Sequence, residues 1–278
     1  MGRRRKAFLL ALPASLSLLV FFVAPMVYIL IRTLASDGVS DFADFFSDPF
    51  YLNILWTTLR VSLVSTGISL LLGYPTAYFM ARTQSNLKKV MMVVILFPFL
   101  VSAVVRSYGW MVILGSNGLL NQALLALGLI EKPLRIIGTE AAVVIGMIHL
   151  LIPYMILSLV GVLQSIDPNV EYAAYSLGAS PAKTFARVVF PLSLPGILSG
   201  CVLVFTMSMT SYVTPKLLGG SKFRMMATMV VQEINVSFDW GAASAISYIL
   251  LGVILAVQFA VVLATSGYMK RMGGGKSA

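Results

Sequence analysis

The chain has 278 residues, of which 59% are hydrophobic and 11% are charged. Soluble domains contain about 25% charged residues, so this composition excludes a soluble enzyme or a soluble binding module. The formal net charge of +10 would suit a nucleic-acid partner, but the basic residues gather at the ends of apolar segments, which favours anionic lipid headgroups instead.

Apolar segments long enough to cross about 30 Å of hydrocarbon as helices recur along the chain. They lie at residues 8–34, 54–81, 90–114, 139–163, 192–214 and 242–268. Because lipid offers the backbone no hydrogen-bond partners, only helices or closed barrels cross a membrane, and these segments lack the alternating pattern of barrel strands. The sequence therefore predicts an all-α membrane protein with one domain of six transmembrane helices over residues 1–278.

Basic residues are unevenly distributed between the loops on the two sides of the predicted bundle. One set of loops contains twelve of them: Arg3, Arg4, Arg5, Lys6, Arg82, Lys88, Lys89, Lys183, Arg187, Lys270, Arg271 and Lys276. The opposite loops contain Lys132, Arg135, Lys216, Lys222 and Arg224, together with the acidic residues Asp37, Asp41, Asp44, Asp48, Glu131, Glu233 and Asp239. Cytoplasmic loops are enriched in Lys and Arg, so this pattern predicts a multi-pass inner-membrane protein with both termini in the cytoplasm.

The loop between the fourth and fifth predicted spans contains the start and stop residues of two short helices. Asp167 is typical of a helix N-cap, with Pro168 at the first helical position and Glu171 near the positive end of the helix dipole. Gly178 readily adopts the left-handed conformation that ends a helix, and Ser180-Pro181 starts the next one. We therefore expect one helix on each side of Gly178.

The residue content of this loop, residues 164–191, leaves two interpretations open. The spacing alone is that of an amphipathic connector between two spans. Ala173 and Ala174, however, leave one helix face nearly smooth, and the flanking side chains of Tyr172 and Tyr175 would anchor that face. A smooth helix with aromatic neighbours suits insertion into a cleft on another protein.

The motif Ala173-Ala174, Gly178 and Val188-x-Phe190-Pro191 resembles the EAA loop of the permease subunits of binding-protein-dependent ABC importers, the type I permeases. The resemblance implies the six-helix MetI-like fold, with this loop as the segment that couples to an ATPase. The coupling residues that it implies are Glu171, Tyr172, Ala173, Ala174, Gly178 and Pro191. In the family pattern Glu-Ala-Ala-x3-Gly, a glutamate stands at the position of Tyr172. Glu171 lies one residue earlier, about 100° around a helix, so its equivalence to that glutamate stays open.

Other stretches narrow the resemblance. Arg106-Ser-Tyr-Gly-Trp110 with Gly118-Leu-Leu-Asn121, and Ser211-Tyr-Val-Thr-Pro-Lys-Leu-Leu-Gly-Gly220, are similar to permeases of the polyamine, opine and phosphonate group, particularly the spermidine/putrescine ones. This implies half of a translocation pathway for a small polar solute, without enzymatic activity or a cofactor of its own. The implied partners are a cytoplasmic ATPase dimer that binds ATP and Mg²⁺, a second and generally different permease chain, and a periplasmic solute-binding protein.

Polar and ionisable residues inside spans are candidates for the pathway, because a lone charge in lipid is unfavourable by several kcal/mol. The predicted pathway or gate residues are Arg106, Tyr108, Trp110, Thr210, Ser211 and Tyr212. An interfacial aromatic belt near Arg106 and simple packing near Thr210 are the alternative interpretations. Arg106 favours an anionic opine or phosphonate, whereas a polyamine would need carboxylates, so the substrate class stays open. We expect Arg60 to extend to lipid headgroups and His149 to bond to a facing helix near Pro153.

An ion-coupled secondary transporter is the alternative function from another class. Such transporters usually show paired acids within spans and internal repeats with broken helices, and neither is evident in the sequence. An intramembrane enzyme would need catalytic carboxylates or a His-rich ligand set within the spans. The single cysteine, Cys201, lies in an apolar run. We therefore expect no catalytic site and no metal site.

Overall fold

The computed structural model describes residues 12–35, 38–221 and 223–273, which form helices joined by short connections. In chain order the helices are α1 (Leu12–Leu34), α2 (Gly38–Ser47), α3 (Pro49–Arg82), α4 (Leu87–Leu100), α5 (Ala103–Leu114), α6 (Leu119–Ala126), α7 (Glu140–Ser165), α8 (Pro168–Ser176), α9 (Pro181–Met209), α10 (Val213–Leu218), α11 (Met226–Gln232) and α12 (Trp240–Gly273). No strand occurs among these described residues, and the prediction of an all-α fold is confirmed. Several charges used to predict the orientation lie outside the described residues: Arg3, Arg4, Arg5, Lys6, Asp37, Lys222 and Lys276.

Five helices of the described chain are long and apolar enough to cross a membrane. They are α1, α3, α7, α9 and the Trp240–Thr265 part of α12. A sixth crossing is present if α4 and the segment Ala103–Ala126 count as one bent span. Each of these helices overlaps one of the six apolar segments of the sequence, but two of them differ from the expected form.

The third span is bent. The sequence predicts an unbroken helix over residues 90–114, whereas the chain turns by 102° between α4 and the segment formed by α5 and α6. Pro98 has no backbone N–H and so removes one hydrogen bond from the last turns of α4. Val101 is extended, and the Ser102 side chain then accepts a hydrogen bond from the N–H two residues later at 3.3 Å. A proline followed by a capping serine therefore sets the position of the bend.

The fifth span begins earlier than its hydropathy indicates. The sequence predicts it over residues 192–214, but α9 starts at Pro181, which occupies the first helical position behind the capping side chain of Ser180. A π-helical turn over Phe185–Val189 stands directly before Pro191, and the helix continues through this proline to Met209. The second half of the expected coupling loop is therefore the first part of a long helix.

The described residues form two compact units. The first comprises the described residues of Met1–Leu52 and Met229–Leu251, and the second those of Asn53–Thr228 and Gly252–Ala278. In the first unit, the hydroxyl of Tyr248 donates to the carbonyl of Met26 at 2.6 Å, which joins α1 to the start of α12. The coupling residues and pathway candidates all belong to the second unit.

Helices α7 and α9 pack closely at the centre of the second unit, because glycines replace larger side chains at their contact. A side chain atom added at Gly196 would lie 2.8 Å from Val162, and one added at Gly200 would lie 2.8 Å from Met155. Both distances are shorter than van der Waals contact, so the GxxxG pair of α9 serves packing within this chain.

The short helix α10 packs against α5 and α7. Gly146 of α7 permits this approach, because an added Cβ would lie 2.7 Å from Thr214 and still closer to Leu218. The N–H of Gly138 donates to the carbonyl of Leu218 at 2.8 Å, which fixes the end of α10 to the loop before α7. This packing places the turn between α9 and α10 beside the helix that contains Arg106.

Candidate functional site

Helix α8 has the caps that the sequence predicts. The side chain of Asp167 accepts a hydrogen bond from the N–H of Asn169 at 2.9 Å, and Pro168 is the first helical residue. At the other end Gly178 has a φ of 82°, and its N–H donates to the carbonyl of Tyr175 at 2.9 Å. This left-handed glycine ends the helix and turns the chain towards α9.

Glu171 of α8 points into the protein and is buried. Its Oε1 accepts a hydrogen bond from Nε of Arg82 at 2.7 Å, and Nη2 of the same guanidinium lies 2.5 Å away. Its Oε2 accepts a hydrogen bond from the hydroxyl of Tyr78 at 2.8 Å. Both carboxylate oxygens are therefore satisfied by groups of α3, as a buried charge requires.

Arg82 also connects α8 to the end of α7. Its Nη1 donates to the carbonyl of Leu163 at 3.0 Å and to the carbonyl of Ile166 at 3.2 Å. These carbonyls belong to the C-terminal turn of α7, which has no further helical N–H groups to satisfy them. One guanidinium thus joins three helix ends, those of α3, α7 and α8.

The face of α8 away from Glu171 is exposed and partly apolar. Tyr172 is 64% exposed there, Leu177 directly after the helix is 88% exposed, and Ala173 is also exposed; Tyr175, one turn after Glu171, is exposed beside this face. We call the residues Tyr172, Tyr175 and Leu177 the exposed edge of α8. Glu171 and Tyr172 therefore have different surroundings, the first within the bundle and the second outside it. Of the remaining coupling candidates, Ala174 is half-buried on α8, and Pro191 is half-buried in α9.

The pathway candidates on α5 take part in contacts at the bent third span. Nη1 of Arg106 donates to the carbonyl of Pro98 at 2.7 Å, so this half-buried guanidinium bridges the bend. Tyr108 is exposed, whereas Nε1 of Trp110 donates to Nδ1 of His149 at 2.9 Å and joins α5 to α7. His149 thus bonds to a facing helix, as the sequence suggests.

The other candidates lie at the break between α9 and α10. The hydroxyl of Thr210 donates to the carbonyl of Thr206 at 3.0 Å, while Ser211 and Tyr212 are half-buried in the connection itself. Because α10 packs on α5, the two groups of candidates belong to neighbouring elements. That these side chains line a solute pathway stays a prediction.

Comparison with known proteins identifies the chain. The family described as binding-protein-dependent transport system inner membrane component matches residues 67–266. The chain belongs to this family. It is therefore an inner-membrane permease subunit, and ATP hydrolysis takes place on a separate subunit of the transporter.

The permease has relatives that it matches over most of its length. It is 35% identical over 242 residues to the spermidine/putrescine transport system permease protein PotB of Haemophilus influenzae, which covers 83% of this chain and 84% of the relative. It is 36% identical over 216 residues to the protein of the same name from Escherichia coli, and the match covers 76% of this chain and 78% of the relative. Its fold matches a chain of a bacterial alginate ABC transporter solved in complex with a periplasmic protein, with a TM-score of 0.82, 16% identity and 96% of each chain covered.

The sequence does not indicate the partners of two charged residues in the permease, Glu171 and Arg60. Arg82 and Tyr78 lie 89 and 93 positions from Glu171, and Arg60 forms an ion pair with Glu140, which is 80 positions away. Arg60, expected to extend to lipid headgroups, therefore joins α3 to the first turn of α7 instead. The sequence hints at these ion pairs only by placing single charges, without a neighbouring opposite charge, near the ends of predicted spans.

Proposed function

We propose that this permease forms half of the translocation pathway of an ATP-driven polyamine importer, in which α8 docks on the ATPase. The relatives with 35% and 36% identity are spermidine/putrescine permeases, and each is matched over more than three quarters of its length. The partners would be an ATPase dimer with bound ATP and Mg²⁺, a second permease chain and a periplasmic solute-binding protein. Both termini and α8 would then face the cytoplasm, in agreement with the distribution of Lys and Arg.

The observation that supports this function most directly is the two-sided structure of α8. Its inner side is joined to α3 and α7 through the buried contacts of Glu171 and Arg82. Its outer side presents Tyr172 and Leu177 with no covering element of the described chain. A short helix held firmly on one side and aromatic and apolar on the other has the properties of a docking segment, because aromatic side chains dominate interface energetics.

The contacts of Arg106 bear on whether the solute is a polyamine. In the sequence, Arg106 by itself favours an anionic solute, since a guanidinium in the pathway would repel a cation, whereas the family resemblance favours a polyamine. In the structure this guanidinium donates to the Pro98 carbonyl at the bend between α4 and α5. The guanidinium keeps its charge in this contact, but its position is explained by the fold of the bent span, so Arg106 need not be a solute-binding residue.

The proposed function is tested by the ATPase activity of the purified transporter in lipid nanodiscs. The solute-binding protein is added together with spermidine, putrescine, an opine or an aminophosphonate in turn. We expect stimulation by the polyamines alone. Stimulation by an opine or an aminophosphonate would support the ATP-driven importer but contradict the polyamine as its substrate. Solute movement down an ion gradient by the chain without any ATPase would contradict the proposal and favour a secondary transporter.

A matched pair of variants tests the docking of α8 in the same assay. Tyr172→Ala removes an exposed aromatic side chain of α8, and Tyr28→Ala removes one of similar exposure, 62%, from α1. We expect the first variant to weaken ATPase binding by about tenfold or more, as for an aromatic residue at the centre of an interface. The second should bind the ATPase as the wild type does. Equal binding by both variants would contradict docking through the exposed edge of α8.

A further inference from the structure

A polar groove lies beside α8, between this helix and the end of α3. It is lined by side chains from α8, from the last turn of α3, from the start of α4 and from the connection between α3 and α4, among them Arg82, Gln84, Lys88, Tyr172 and Tyr175. We call it the α8 groove. It belongs wholly to the second compact unit, and its lining includes two members of the exposed edge of α8.

The charges that line the α8 groove are not balanced. The carboxylate of Glu171 is occupied by Arg82, and that ion pair forms one wall of the groove. Lys88 is half-buried, and within the described part of the chain no carboxylate lies in ion-pairing distance of its ammonium. A lysine that loses part of its hydration without a counter-charge is stabilised by an anion supplied from outside.

We infer that the α8 groove receives a carboxylate side chain of the ATPase subunit, which pairs with Lys88. This inference rests on the proposed function, since it concerns the partner that docks on α8. The amide of Gln84 and the hydroxyls of Tyr172 and Tyr175 are donors in the same groove and suit the second oxygen of such a carboxylate. The tyrosines alone would contact many apolar surfaces. Lys88 makes the interface specific, because the partner must place a negative charge in the groove.

A protein partner fits this groove better than a phospholipid. Basic pockets that bind lipid headgroups lie between transmembrane helices, next to the acyl chains. The α8 groove is instead lined mainly by polar groups, and it opens beside Tyr172, which is 64% exposed. A partner that covers the exposed edge of α8 therefore also covers the groove.

The test measures binding of the cognate ATPase to the whole permease in nanodiscs at several salt concentrations. The cognate ATPase is the subunit with a phosphate-binding loop that purifies with the wild-type chain. Lys88→Glu should weaken its binding by about tenfold at low salt, and the salt dependence should become flatter, because one close charge pair is replaced by a repulsive one. Lys88→Arg should bind nearly as the wild type does. Lys132→Glu, which reverses an exposed charge in the loop between α6 and α7, should leave binding unchanged.

The outcomes separate this inference from the proposed function. If the wild type binds the ATPase and transports solute, while Lys88→Glu keeps the wild-type affinity and salt dependence, the inference is wrong and the proposed function stands. If the wild type binds no ATPase, the proposed function itself fails. The binding assay is repeated with zwitterionic lipid alone. A Lys88→Glu defect that disappears there would assign the groove to an anionic lipid headgroup and overturn the inference.

Discussion

Glu171 and Arg82, 89 positions apart in the chain, form an ion pair whose side chains are only 8% and 18% exposed. The carboxylate comes from the segment that faces the proposed ATPase, and the guanidinium ends a transmembrane helix. The pair therefore ties the position of α8 to that of α3. Glu171 thus holds the helix from the inner side, whereas Tyr172, at the position of the family glutamate, is exposed.

Glu171→Gln should destabilise the permease. The substitution leaves the guanidinium of Arg82 largely buried without its counter-charge, and breaking such a pair typically costs about 3 to 5 kcal/mol. The free energy of unfolding is measured by titration with a denaturing detergent. Glu131→Gln, at an exposed position before α7, is the control and should match the wild type. The double variant Glu171→Leu with Arg82→Leu should be more stable than Glu171→Leu alone, and a double variant that is less stable would contradict the pairing.

Gly178→Val should abolish solute uptake while membrane insertion stays normal. Gly178 has a φ of 82°, and an added Cβ would meet no atom within 4 Å, so the defect comes from backbone conformation alone. A left-handed residue with a side chain costs about 1 to 2 kcal/mol, and a β-branched one more, which changes the direction of the chain after α8. Gly178→Asn is the control, because asparagine tolerates this conformation. Normal uptake by Gly178→Val would contradict the coupling role of α8.

Trp110→Phe should loosen the contact between α5 and α7. It removes the hydrogen bond to Nδ1 of His149 but keeps an aromatic ring, so the expected loss of stability is about 1 kcal/mol. His149→Phe should cost a similar amount, and the double variant little more than either single one. Unfolding free energies of the three variants form a double-mutant cycle. Additive effects would show that the two residues act independently.

Gly146→Ala should disturb the packing of α10, whereas Gly161→Ala should not. Both glycines lie in α7, but a Cβ at Gly146 would lie 2.7 Å from Thr214 and one at Gly161 would meet nothing within 4 Å. Overpacking of this kind typically costs about 1 to 3 kcal/mol, while an alanine in open space favours the helix. The melting temperatures of the two variants in nanodiscs provide the comparison. Equal melting temperatures of the two variants would contradict the described packing of α10 on α7.

The sequence predicted features whose causes are local. The apolar spans follow from composition over about 20 residues, and α8 follows from its own caps at Asp167 and Gly178. The helix start at Ser180-Pro181 is also predicted from local residues, but hydropathy marks only the membrane-embedded part of a helix and does not show that this helix continues unbroken into the fifth span. The bend at Val101 was missed for a similar reason, since its apolar surroundings conceal the proline and the capping serine.

The contacts that define the candidate site depend on the fold and were not predictable in this way. The partners of Glu171 and Arg60 lie at least 80 positions away, and no local pattern selects them among the other charges of the chain. The sequence nevertheless placed Glu171, Tyr172 and Gly178 in one segment. It did not indicate that Glu171 lies within the bundle and Tyr172 outside it.

The unbroken course of α9 through Pro191 has a mechanical consequence. The helix has 29 residues, and at about 1.5 Å per residue it is about 43 Å long. Its first residue, Pro181, follows the last residue of α8 after only a short connection, and its last residue, Met209, adjoins the Thr210–Tyr212 break. Treated as a stiff rod pivoting at Pro181, it would move its far end by about 4 Å for a tilt of about 5°. In this picture, a small tilt at the α8 end of the rod displaces its Thr210–Tyr212 end by more than the length of a hydrogen bond.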